Sequence, residues 1–148
     1  MFKSNRFLIT CSLAIFGFGL VAGSAIQFAG VAEAAHHSNQ VFELRTYTTH
    51  PGRLEALHSR FRDHTVELFE RHGMTNVGYF VPQEAPLADN TLIYLLAHDS
   101  REAAKASFAN FVNDPDWKKA RAESISSGDI VAGITSVFLD PTDYSPIK

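Results

Sequence analysis

The sequence is poor in cysteine, in clusters of like charge and in motifs of established chemistry. The single cysteine, Cys11, leaves no partner for a disulfide or for a zinc site built from cysteine pairs. The 13 lysine and arginine residues form no basic run beyond Lys118 and Lys119, which removes the electrostatic case for nucleic-acid binding. The sequence also lacks a glycine-rich phosphate loop, a Gly-x-Ser-x-Gly element and a His-Glu-x-x-His element. Nucleotide hydrolysis, triad hydrolysis and structural zinc are therefore disfavoured, and no cofactor is expected.

What is present is a composition typical of one compact domain. Hydrophobic residues make up 45% of the 148 residues and charged residues 20%, with a formal net charge of −3. These proportions exclude a disordered chain and favour a single small domain with an apolar core. They point to no particular reaction.

The N-terminus has the three-part pattern of a secretory signal peptide. Lys3 and Arg6 precede an apolar run over 7–22, and a stretch of small residues follows it. Ala32 and Ala34 stand at the two positions where signal peptidase requires small side chains. The pattern therefore predicts export of the chain.

We predict cleavage after Ala34, a linker over 35–40 and one domain over 41–146. The mature protein would then be periplasmic or secreted, with no membrane segment. The alternative is an uncleaved membrane anchor, because the apolar stretch can be followed to Phe28 and is long enough to cross a bilayer.

Removal of the leader changes the charge and the means of stabilisation. Loss of Lys3, Arg6 and Glu33 leaves 11 basic and 15 acidic residues and a net charge of −4. Cys11 is lost as well, so the mature chain has no thiol and depends on its apolar core. A chain of this size buries roughly 65% of its unfolded surface. Formation of a homodimer would therefore add useful buried area.

Hydrophobic periodicity predicts six main elements and one short helix in the mature chain. They are a strand over 41–48, a helix between Gly52 and Gly73, strands over 75–81 and 91–97, a helix capped by Asp99 with Glu102, a short helix begun by Asp114-Pro115, and a strand over 130–139. The order is βαββαβ, which predicts an α+β, ferredoxin-like fold with a four-stranded antiparallel sheet. Helices cover only one face of such a sheet. We expect Tyr47, Tyr94 and Leu96 on the bare face, where a second copy would pack.

Five short motifs occur in the order found in a known family. They are Glu43-Leu44-Arg45-Thr46-Tyr47-Thr48 with Pro51-Gly52-Arg53-Leu54, His72-Gly73 with Val77-Gly78-Tyr79-Phe80, Ala97-His98-Asp99-Ser100, Asp114-Pro115-Asp116-Trp117, and the tail from Leu139 to Pro146. In these motifs the chain resembles the NIPSNAP family from about Val41 to Pro146. The resemblance implies a dimeric α/β barrel and assigns no reaction. The third strand departs from the family pattern, with Tyr94 and Leu96 where members often have histidine and tryptophan.

Polar side chains alternate along the first strand. Glu43, Arg45 and Tyr47 share one face, with neighbouring side chains about 7 Å apart. If Phe42 and Leu44 face the helices, these three side chains face the barrel interior. We therefore expect Glu43, Arg45 and Tyr47 to line a cavity.

Tyr94 and His98 share a face of the third strand and are candidates for the same cavity. In such a cavity Arg45 would hold an anionic group, and His98 or Glu43 would move a proton. The alternative is a structural Glu43–Arg45 ion pair, which is favoured because the sequence supplies neither a nucleophile nor a metal-ligand set.

Two further histidine positions have weaker support. His64 lies at the edge of the apolar stripe of the first helix and would reach a pocket between helix and sheet, or serve as a hydrogen-bonded boundary residue. Cleavage before Ala35 would expose Ala35-His36-His37, whose free amine and third-position imidazole suit Cu²⁺ or Ni²⁺. A solvated linker is the simpler interpretation of that segment.

Three hypotheses follow for the function. The first is an exported NIPSNAP-like dimer that binds a small molecule or a partner protein. The second is a cofactor-free oxygenase or isomerase acting on an aromatic or enolisable compound. The third is a structural dimerisation module whose polar interior only satisfies its own charges.

Overall fold

The computed structural model of the protein describes residues 40–148. The predicted signal peptide over 1–34 and the predicted metal site at Ala35, His36 and His37 lie outside these residues. Among the helices of the described part, none is long and apolar enough to cross a membrane.

The described residues form a four-stranded antiparallel sheet with helices on one side. The elements are β1 (Val41–Thr49), α1 (Leu54–Arg60), a π-helical turn (Phe61–Thr65), α2 (Val66–Arg71), β2 (Thr75–Phe80), a 3-10 turn (Leu87–Asp89), β3 (Thr91–His98), α3 (Arg101–Asn113), α4 (Pro115–Ser124) and β4 (Val131–Leu139). The strand order is β2-β3-β1-β4, with every neighbouring pair antiparallel. The α+β, ferredoxin-like prediction is therefore confirmed, with strand bounds within one or two residues of those expected.

A π-helical turn joins α1 to α2. Leu57, Phe61 and Thr65 are buried at successive four-residue intervals, so Thr65 lies on the inner side of this helical region and His64 is exposed. The Thr65 hydroxyl donates to the carbonyl of Arg60 at 3.1 Å.

The two C-terminal helices begin at side-chain caps. Ser100 caps α3 by accepting a hydrogen bond from the Ala103 amide at 3.0 Å, so the predicted cap at Asp99 is wrong by one residue. Asp114 caps α4 through the Asp116 amide at 2.7 Å, with proline at the first helical position, as predicted. α4 places the half-buried Trp117 against Phe111, with ring centroids 4.4 Å apart.

The polar face of β1 packs against the helices. Arg45 lies opposite Tyr94 in the β1–β3 register, so the two side chains share a face. The rings of Tyr47 and Tyr94 both contact Phe61 of the helical layer, with centroids 5.8 and 5.2 Å apart. The expectation that Glu43, Arg45 and Tyr47 face away from the helices is therefore wrong.

The bare face of the sheet carries aliphatic side chains and Phe80. Tyr94 and Leu96, which were expected there, are fully buried in the core instead. The strand registers place a different set on the bare face: Leu44, Phe80, Ile93, Leu95 and Val137. Phe80 is 58% exposed and Val137 is 53% exposed. Because both faces of the sheet are apolar, hydrophobicity alone did not identify the side that the helices cover.

Candidate functional site

A buried ionic network occupies one end of the helix-facing side of the sheet. The Glu43 carboxylate, which is 2% exposed, accepts hydrogen bonds from Arg45 Nη1 at 2.7 Å and from the Ser136 hydroxyl. Its second oxygen lies 3.2 Å from Nε2 of the fully buried His98. Strands β1, β3 and β4 each contribute a partner, because these positions are neighbours in the sheet register. The network therefore joins the three strands.

The Glu43 carboxylate is held in its ionised form. Burial opposes ionisation, but hydrogen bonds from His98 and Ser136 and the charge of Arg45 outweigh it, so the pKa of Glu43 is lowered. A carboxylate with a depressed pKa and three partners is a weak proton acceptor. Its geometry suits the orientation of Arg45 better than the abstraction of a proton.

Arg45 is oriented by two contacts. Its guanidinium lies over the Phe108 ring, 4.4 Å from the centroid, while Nη1 bonds to Glu43. Burial by itself disfavours the charged form, but the Tyr94 and Tyr47 phenols and the Glu43 carboxylate raise the pKa of Arg45 above its usual value. Arg45 is therefore a fixed cation.

A cavity of about 250 Å³ lies between the sheet and the helices, beside the network. Its walls are mainly aromatic and aliphatic side chains, among them Tyr47, Phe111, Trp117 and Ile134. A second compartment of about 470 Å³ shares these four side chains and reaches Arg45. Apolar walls with a few polar groups are typical of small-molecule sites.

The cavity is lined by two arginines and by one exposed carboxylate, Asp129. Arg60 and Arg121 both line it, and within residues 40–148 neither forms an ion pair with a carboxylate. Arg60 is only 6% exposed; its Nη1 donates to the Ser124 hydroxyl at 3.3 Å, and its guanidinium lies 5.4 Å from the Trp117 ring. Burial, together with the charge of Arg121, lowers the pKa of Arg60 although Tyr47 opposes the shift.

One buried donor at this cavity, Nε of Arg60, has no partner in the described part of the chain. Tyr94 lies behind the cavity wall, where its ring packs against the cavity residues Tyr47 and Phe61. Burial and then Tyr47 raise the pKa of Tyr94, so its phenol remains neutral. Unpartnered buried donors are uncommon and costly, and a ligand with acceptor atoms would satisfy Nε of Arg60.

The structure separates the residues that the sequence singled out. Tyr47 lines both compartments and Arg45 lines the second one, whereas Glu43 faces a neighbouring cleft of about 590 Å³ and His98 is enclosed behind it. His64 is exposed on the outer side of the helical layer, so its predicted place between helix and sheet is wrong. No group of three or more potential metal-binding side chains occurs in the described residues.

Sequence reasoning missed Arg60, Arg121 and Trp117 as cavity residues. Arg60 lies three residues after the fully buried Leu57 and is itself buried. That spacing was the available signal, since residues three apart share a helix face. Arg121 gave no comparable signal, because its role depends on how α4 meets the edge strand β4.

Comparisons with known proteins agree with this fold. A profile described as NIPSNAP matches residues 42–146. A NIPSNAP family protein of unknown function from Agrobacterium tumefaciens is similar at 25% identity, with a TM-score of 0.65 over 76% of this chain and 97% of that one. An uncharacterized NIPSNAP-like domain protein from Burkholderia xenovorans is similar at 20% identity, with a TM-score of 0.64 over 74% of this chain and 91% of that one. No curated protein matches the sequence.

Proposed function

The chain belongs to the NIPSNAP family, and we propose that it is an exported homodimer that binds a small acidic molecule between its sheet and its helices. The observation that carries this proposal is the unpaired Arg60, which is 94% buried beside aromatic walls. A buried cation without a counter-ion is unfavourable in the free protein. A carboxylate or another oxyanion on an apolar body would supply the missing charge and acceptors.

The cavity favours a small molecule over a partner protein as the ligand. Its donors lie inside a concave space, while a protein partner requires about 800 Å² of contact on each side. Trp117 and Phe111 offer flat ring surfaces, against which an aromatic body would pack. The expected ligand is therefore an aromatic or similarly flat acid.

The bare sheet face supports the homodimer part of the proposal. Leu44, Leu95 and Val137 lie side by side across three strands, and Phe80 and Ile93 continue this apolar surface. A second sheet packed on this face would remove it from water and close a barrel. The export part of the proposal is supported by the charged, apolar and small-residue segments of the N-terminus.

Binding is favoured over catalysis and over a purely structural role. Glu43 is the carboxylate nearest to Arg45, but its lowered pKa makes it a poor base for an isomerase. A structural module explains the Glu43 network and leaves Arg60 unexplained. The unpaired donors therefore support a ligand.

The proposal is tested by calorimetric titration of the exported protein with 2-naphthoate and with its neutral analogue 2-naphthamide. We expect the acid to bind at least about tenfold more tightly, because a charge-assisted hydrogen bond contributes about 1.5–3 kcal/mol. Equal affinity for the two compounds, or no binding of either, would contradict the proposal. Native mass spectrometry of the same preparation checks the dimer and the cleavage after Ala34.

A further inference from the structure

The two cavity compartments adjoin, and each contains an arginine that the other does not. Both are lined by Tyr47, Phe111, Trp117, Arg121 and Ile134, which constitute their shared wall. Apart from this wall, one compartment is lined by the buried Arg60 and the other by Arg45. A molecule that reaches from one compartment into the other would therefore meet a guanidinium in each.

The compartment at Arg45 is more strongly positive than the compartment at Arg60. Asp129 lines the compartment at Arg60, whereas no carboxylate lines the one at Arg45, which also contains Lys118. Cations lining a cleft raise the local concentration of anions. The charge pattern therefore suits an anionic group at each end of the ligand.

Arg45 has one unused donor on its guanidinium. Nη1 is used by Glu43, and the buried Nε has no partner among the described residues. The ring of Phe108 beneath the guanidinium fixes its plane. The Glu43 carboxylate already accepts a hydrogen bond from Ser136 and lies beside His98, so it does not depend on Arg45 alone. The Nε side of the guanidinium therefore has the planar geometry that suits an oxyanion such as a carboxylate.

We infer that the ligand is bifunctional: a flat molecule with two acidic groups at opposite ends, one held by Arg60 and the other by Arg45. This inference rests on the proposed function and narrows its ligand class from acids to diacids. Trp117 and Tyr47 then pack against the body of the molecule, while Arg121 and Lys118 add positive charge to the compartment at Arg45.

The test compares monoacids with diacids of the same body. Benzoate is paired with terephthalate, and 2-naphthoate with 2,6-naphthalenedicarboxylate, so that two ligand lengths are sampled by calorimetry. We expect the diacid to bind about tenfold more tightly than its monoacid in at least one pair. In Arg45→Met this gain should disappear, so that the ratio of diacid to monoacid affinity falls to about one.

The controls separate the possible causes of failure. Arg101→Met removes a neighbouring arginine that packs on Phe138 outside the two compartments, and it should keep the gain. If Arg45→Met does not fold, Arg45→Met combined with Glu43→Gln removes both charges together. Diacids that bind no more tightly than monoacids in the wild-type protein overturn this inference and leave the proposed function standing. Absence of monoacid binding overturns both.

Discussion

Two buried charges on the helix-facing side of the sheet differ in whether the protein supplies a counter-ion. Around Glu43, the carboxylate is joined to Arg45, Ser136 and His98. Arg60 is only 6% exposed, and no carboxylate of the described chain pairs with it. The Glu43 carboxylate is neutralised within the protein, although Nε of Arg45 and Nδ1 of His98 have no partner among the described residues. The charge of Arg60 has no such counter-ion.

This difference indicates where to look for function. A buried carboxylate with several hydrogen-bond donors stabilises the fold and is itself poorly suited to a new partner. An unsatisfied cation destabilises the free protein, and such local costs are typical of binding sites. Glu43 and His98, which are candidate site residues in the sequence, therefore act mainly to stabilise the fold.

The largest effect should come from breaking the satisfied network. Glu43→Ala leaves Arg45 and His98 without their carboxylate, and we expect a loss of about 3–5 kcal/mol in the free energy of unfolding. Urea denaturation measures this loss. Glu102→Ala is the matched control, because Glu102 lines the same cleft but is exposed, and its effect should remain below about 0.5 kcal/mol. Equal effects of the two substitutions would show that the network is not structural.

The pairing of Glu43 with Arg45 can be examined by removing both charges. Glu43→Gln or Arg45→Met alone should destabilise the protein, and the double variant should recover part of the loss, because neither buried charge is then left unpaired. Strictly additive losses in urea denaturation would contradict the structural pair.

Acid should weaken the same network. The pKa of Glu43 is lowered below its usual value of 4.5, so its contribution to stability is present above that pH and is lost as the pH falls through the folded-state pKa. We therefore expect Tm to fall below pH 4.5, and to fall less steeply in Glu43→Gln. Asp114, whose pKa is also lowered, chiefly by its hydrogen bond with His72, is present in both proteins and cancels in the comparison. Parallel curves for the two proteins would refute this assignment.

A smaller effect is expected at the cap of α4, where charges are also paired. Asp114→Ala removes the acceptor for the Asp116 amide and the partner of His72. Loss of such a cap should lower Tm by about 4–8 °C in a domain of this size. Asp116→Ala serves as the control, because it removes only an exposed partner of Arg71 and should change Tm by less than about 2 °C. A reversed order of the two effects would be inconsistent with the observed cap.

The smallest effect on stability should come from the unpaired cation. Arg60→Met removes a buried charge and keeps an unbranched apolar stem, so the ligand-free protein should keep its free energy of unfolding within about 1 kcal/mol or become more stable. Urea denaturation of Arg60→Met and of Glu43→Gln under the same conditions compares their losses in the free energy of unfolding. A loss of unfolding free energy as large as that of Glu43→Gln would mean that Arg60 also stabilises the fold.

The order of elements could be predicted from the sequence because it depends on local signals. The alternation over 41–48, the Asp114-Pro115 start of α4 and Gly73, which has a φ of +77° after α2, act within a few residues of chain. Each signal agrees with the structure. The fold class follows from their order.

The placement of the candidate site could not be predicted in the same way. Leu44 and Phe42 are more apolar than Glu43 and Arg45, which suggested that they face the helices, but a sheet that is apolar on both faces gives no such preference. Helical spacing allowed either His64 or Thr65 on the inner side after Phe61, and the structure places Thr65 there. Both features depend on contacts between distant elements.

The central claim is that the buried charge of Arg60 is completed by an acidic ligand. The most direct measurement is a calorimetric titration of wild-type and Arg60→Met proteins with 2-naphthoate and 2-naphthamide. The preference of the wild-type protein for the acid should fall by at least about tenfold in Arg60→Met, while affinity for the amide changes little. An unchanged preference for the acid in Arg60→Met would contradict the account.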